Sequence, residues 1–74
     1  MIPTPIQCRA GRALIGMSQA ALARRSGVSE RAINNFEKGL TKLLKPNREA
    51  IKQALEEAGV VFIGDTGVWL HEKK

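Results

Sequence analysis

Residues 18–37 read SQAALARRSGVSERAINNFE. Two short helix-like runs meet at Gly27, and each is preceded by a serine, Ser18 and Ser29. A serine in that place can accept a hydrogen bond from a backbone N–H that the first helical turn leaves unpaired. Six small or apolar residues carry the steric argument. Ala23 leaves room for the second helix to cross closely over the first. Gly27 turns the chain at positive φ without a Cβ clash. Leu22, Val28, Ile33 and Phe36 fill the wedge between the two runs. Together they spell two helices joined by a tight turn, a helix-turn-helix. Arg24 and Arg25 point away from the first run, and Arg31, Asn34 and Asn35 point away from the second.

Upstream, Thr4-Pro5-Ile6-Gln7 is a helix start. Thr4 can cap, Pro5 suits the first helical position, and Gln7 completes a capping box. Ile6, Ala10, Ala13, Leu14 and Met17 recur at helical spacing and predict the inward stripe of this helix. Gly16 ends it. Downstream, the second run of the motif closes near Lys38 and Gly39. Residues 40–46 read as a loop, because Pro46 disfavours helical geometry at Lys45. Asn47 then caps a fourth helix with Ala50, Ile51, Ala54, Leu55 and Ala58 inward and Gly59 at its end. The tail changes character: Val60-Val61-Phe62-Ile63 is β-branched and aromatic, Gly64-Asp65-Thr66-Gly67 is turn chemistry, and Val68-Trp69-Leu70 returns as a strand. Residues 71–74 are polar and expected to fray. The fold class is therefore mainly α: four helices containing the helix-turn-helix, with a C-terminal β-hairpin. Residues 1–59 are expected to form the helical domain and 60–74 the hairpin, read as a dimerisation element.

The totals agree with a small single domain. The chain has 74 residues, 43% of them hydrophobic, a net charge of +5 and a pI near 10.0. Such a domain buries about 60% of its unfolded surface, which leaves little room for a deep catalytic cleft. The basic balance favours an anionic partner, nucleic acid before membrane, although a merely soluble basic protein has the same balance. The lone cysteine, Cys8, cannot form an intrachain disulfide; it reads as a small packing residue in a cytoplasmic, reducing setting. No run approaches the ~20 apolar residues that span a bilayer. No cofactor or metal is expected. Catalysis needs convergent titratable groups, and the sole histidine, His71, lies in the tail.

The same residues resemble a known family, the phage Cro/repressor and Xre-type DNA-binding domains. The resemblance rests on Arg12, on SQAALARRSGVS and ERAINNFEKG, and on Thr41-Lys42, and extends over residues 6–58. It implies duplex DNA as partner, with the second helix of the motif in the major groove. Carried over by position, Glu30, Arg31 and Asn35 face base edges, and Asn34 beside them reaches base or backbone. Gln19 and Ser29 meet phosphate, and Gln19 can brace a base-reading side chain. Lys38, Thr41 and Lys42 are plausible backbone contacts just past the recognition helix. Arg12 and Glu37 form a partly buried, structural ion pair. The residue chemistry is compatible: an arginine fork fits guanine O6 and N7, and asparagine fits adenine N6 and N7. Glu30 remains open between accepting from cytosine N4 and simply favouring the positive end of its helix. Arg31 can equally be a solvated or phosphate-bound charge, and Asn35 an exposed polar residue.

The resemblance ends at the tail, where many members have a fifth helix. Both faces of the strand over 60–63 are apolar and want cover, and an isolated two-stranded hairpin is marginal in water. A homodimer centred on Phe62 and Trp69 answers both needs; folding back on the chain's own helices is the alternative. The leading function is a sequence-specific transcriptional regulator, most simply a repressor. Two others compete: an antitoxin that binds its own promoter and a toxin, and a protein-interaction module without DNA binding. An enzyme is the reading least favoured.

Overall fold

The computed structural model describes residues 2–71. Four helices, α1 (Pro5–Ile15), α2 (Gln19–Ser26), α3 (Glu30–Glu37) and α4 (Lys45–Glu57), precede two strands, β1 (Val60–Ile63) and β2 (Gly67–Leu70). The expected polar end at 71–74 lies, apart from His71, outside the described residues.

The chain punctuation works through side-chain and backbone chemistry. Thr4 accepts from the backbone N–H of Gln7 and Gln7 reaches back to Thr4, the capping box read from the sequence. Ser18 and Ser29 cap α2 and α3 by accepting from Ala21 and Ala32. Gly27 adopts φ 76°, the left-handed conformation that lets the chain leave α2 and enter α3 within a few residues. The core is shared by all helices and the hairpin: Leu22, Ile33, Ile51 and Leu55 are fully buried, and Val60 of β1 joins them.

Two local expectations are corrected. α4 begins at Lys45, not after an Asn47 cap, and its N-cap is Leu44 with no side-chain bond. Proline lacks an N–H, so it fits the first turn where that donor has no partner anyway; Pro46 sits inside the start of the helix rather than ahead of it. The face of α1 is also rotated from the expected stripe. Ile6, Ala13 and Leu14 are exposed, whereas Gln7, Cys8 and Gly11 are buried. Counting apolar residues misses a face whose work is close approach and polar clamping. At Gly11 an added Cβ would lie 3.2 Å from Cγ1 of Val60, so the glycine lets β1 come down onto α1.

Gln7 is the clamp. Its Nε2 donates to the carbonyls of Gly64 (2.9 Å) and Gly67 (3.0 Å), on either side of the hairpin turn, while its Oε1 accepts from Thr4 N. Thr4 Oγ1 adds a bond to the carbonyl of Asp65. The antiparallel register pairs Val61 with Trp69 and Phe62 with Val68. Because side chains alternate between faces, Phe62 and Val68 pack toward the chain's own core. Val61, Ile63 and Trp69 point outward and are exposed.

Replacing Gln7 by Leu should cost about 1–3 kcal/mol, since it strips two part-buried carbonyls, of Gly64 and Gly67, of their donor. The loss should show in chemical denaturation and as faster amide exchange at β1 and β2. Unchanged exchange in the hairpin would contradict the clamp.

Candidate nucleic-acid interface

α3 has two faces. At ~100° per residue, positions 30, 31, 34 and 35 share one side, while Ile33 and Phe36 are buried on the other. Glu30 and Arg31 are exposed, and Asn34 and Asn35 are half-buried. Gln19, Glu30, Arg31 and Asn34 line one shallow open depression where the start of α2 meets α3. Lys38, Thr41, Lys42 and Lys45 are exposed in the segment that follows. That segment is anchored from within: Leu43 is buried, and Nη1 of Arg48 donates to its carbonyl at 3.1 Å. Arg48 is thus half-buried and fixes the loop.

Glu37 determines how α3 is held. Its side chain is 2% exposed, and four donors converge on it. Nε and Nη2 of Arg12 donate at 2.7 and 2.6 Å, the Cys8 thiol at 3.0 Å, and Nε2 of Gln19 at 3.0 Å. Nη1 of Arg12 continues to the carbonyl of Met17, between α1 and α2. One carboxylate therefore ties α1 and α2 to the end of α3. Burial pushes the Glu37 carboxyl up, but the donors from Arg12, Cys8 and Gln19 outweigh it and hold it below its ordinary range. Burial, and then the bond to Glu37, push the Cys8 thiol up, so it remains protonated and a donor. The Arg12 guanidinium is raised, chiefly by its hydrogen bonds to Glu37.

The side chain of Gln19 faces inward, not toward an open phosphate position. Its Nε2 is engaged with Glu37 and, at 3.5 Å, with Oδ1 of Asn34. Ser29 Oγ is engaged as the cap of α3. Sequence reasoning missed the thiol of Cys8 in this cluster. The signal was available, because Cys8 lies four residues before Arg12 and so on the same helical face.

These residues form a motif with a matching family model. The helix-turn-helix model HTH_3 covers residues 9–53, more than half of the chain. The chain belongs to the Cro/C1-type helix-turn-helix family. Members of this family are DNA-binding regulators, and the chain is one by membership. A search of curated proteins returned no match. Among the described residues of this helix-turn-helix protein, no helix is long and apolar enough to cross a membrane.

Glu37→Gln should destabilise the fold by about 3–5 kcal/mol, the cost of leaving one member of a buried pair unmatched. The pH dependence has a definite sign. Because the folded-state pKa of Glu37 lies below its ordinary value of 4.5, its contribution is complete above that value. It is lost as the pH falls through the folded pKa. Denaturation curves from pH 7 to pH 3 should show this acid-sensitive component in the wild type and not in the variant. Equal acid sensitivity in both would contradict the assignment.

Proposed function

We propose that this protein is a sequence-specific transcriptional repressor that places α3 in the major groove of duplex DNA. The observation that carries the reading is the outer face of α3. Glu30, Arg31, Asn34 and Asn35 stand together on a helix braced from behind by Glu37. Arg31 supplies a fork for guanine O6 and N7, and Asn35 a donor and acceptor for adenine N6 and N7. Lys38, Thr41 and Lys42 meet phosphates through their side chains, and Gln19 and Ser29, whose side chains are engaged within the chain, through their backbone N–H groups. Such contacts set register and orientation, while base contacts set sequence. Glu30 occupies the first position of α3, where a negative charge also favours the positive helix end. A duplex covered in this way is blocked to other proteins, which is why repression is the simplest outcome.

The active unit in this reading is a homodimer joined through the hairpin. The supporting observation is the outward face of Val61, Ile63 and Trp69, the last two 58% and 53% exposed. Residues 53–71 contain no lysine or arginine, although the chain carries +5 overall. The outward side chains Val61, Ile63 and Trp69 are themselves uncharged, so two copies can meet on them. Trp69 stands on that outer face, whereas Phe62, which the sequence also suggested for the contact, packs toward the chain's own core and drops out of it. Two α3 helices would then lie about 34 Å apart, one helical turn of DNA, and read a near-palindrome. A toxin seated on the same face would make the chain an antitoxin, and co-purification of a second polypeptide in defined ratio is the mark of that reading.

Binding to selected duplex should weaken linearly on a log–log plot against salt, with a slope of about −0.9 per phosphate engaged. Arg31→Ala should cost about 1–3 kcal/mol and relax preference at one base position. Flat salt dependence would favour a protein-interaction module instead. Sedimentation should show a dimer at micromolar concentration for the wild type and a monomer for Trp69→Lys. A wild-type monomer at high micromolar concentration would remove the dimer.

A further inference from the structure

The hydrogen bonds behind α3 have a direction. Glu37 is an ionised carboxylate with no hydrogen to give, so Gln19 must present its amino group, Nε2, to it. The same Nε2 faces Oδ1 of Asn34. Turning the Asn34 amide over would set two N–H donors against each other. The order of the chain is fixed: Glu37 accepts from Gln19, Gln19 donates to Asn34 Oδ1, and Asn34 is left with its Nδ2 amine. No buried side-chain nitrogen or oxygen among the described residues lacks a partner. The Nδ2 of Asn34, which has no partner among those residues, is therefore open to solvent. Asn34 lines the open depression together with Gln19, Glu30 and Arg31.

We infer that Asn34 is a donor-only reader, its polarity set by the positioning residue Glu37 through Gln19, which selects a base edge offering an acceptor and rejects cytosine. The inference rests on the DNA-binding reading above. A free asparagine can present either end of its amide and so match adenine with both. A braced one cannot. In the major groove, guanine offers N7 and O6, adenine N7, and thymine O4 as acceptors, whereas cytosine offers only the N4 donor. Two donors facing one another cost an unmade hydrogen bond on each side. Cytosine is thus the base that this geometry excludes.

The test is selection from random duplex DNA with the full chain, in three forms: wild type, Asn34→Asp and Gln19→Ala. Thermal unfolding checks that each form is folded at the assay temperature. Asn34→Asp changes a half-exposed side chain and adds a negative charge, so its readout is base preference rather than overall affinity; it keeps the test open even where Gln19→Ala lowers stability. In the wild type, cytosine should be depleted at one position of each half-site by on the order of 5- to 10-fold. Asn34→Asp, which replaces the donor by an acceptor, should turn the preference there toward the bases that offer a donor, cytosine at N4 and adenine at N6, so that cytosine is no longer depleted. Gln19→Ala, which frees the amide to turn and loosens one brace of α3, should flatten that position more than any other. An even loss of affinity in Asn34→Asp with base preference unchanged at every position would make Asn34 a phosphate contact and overturn the inference. A selected motif that depends on Arg31 and Asn35 but is indifferent to Asn34→Asp would overturn it and leave the DNA-binding reading intact. A wild type that selects no motif would overturn both.

Discussion

A single buried carboxylate holds the structure to its geometry. Glu37 sits at the end of α3, receives donors from α1 and α2, and is almost wholly removed from water. Taking a charge out of water costs several kcal/mol unless it is paired and hydrogen-bonded. Here each carboxylate oxygen takes two donors. The arrangement is unforgiving in a domain whose total stability is only ~5–15 kcal/mol. It is also specific: a greasy contact would tolerate sliding of α3, whereas a fork from Arg12 and a single amide from Gln19 fix both its position and its rotation. The exposed face at 30, 31, 34 and 35 inherits its aim from this cluster.

Much of the fold was legible because it is written in local chemistry. Thr4, Ser18 and Ser29 cap, Gly16 and Gly27 terminate, and the apolar residues of α2, α3 and α4 recur at helical spacing. The hairpin was equally readable, because β-branched strands and a Gly-Asp-Thr-Gly turn leave few alternatives. What the residues alone concealed were contacts between distant segments. Nothing near Gln7 in sequence shows that its amide spans the turn at Gly64 and Gly67. Nothing near Gly11 shows that Val60 will press on it. Both fall on the face of α1 that an apolar count assigns to solvent. The site was partly legible for the same reason: the resemblance placed Arg31, Asn34 and Asn35 together and allowed Gln19 to brace one of them, but it did not give the bond from Gln19 to Glu37 or the thiol of Cys8.

The molecule separates its chemistries by region. Basic and amide side chains gather on α3 and the segment after it, whereas the hairpin outer face is apolar and free of cations. The two regions communicate through rigid parts. β1 rests on α1 at Gly11, and α1 carries Cys8 and Arg12 to Glu37. A partner docked on the hairpin would therefore fix the direction of α3 without touching it, which is what reading a spaced pair of half-sites requires.

The central claim, that the outer face of α3 is the surface that meets DNA, is tested most directly by following backbone amide resonances while a selected duplex is added. The account predicts that the largest changes fall at residues 29–35 and 38–42 and at the start of α2, with the outer face of the hairpin little affected. Changes confined to the hairpin, with residues 30–35 unmoved, would contradict it.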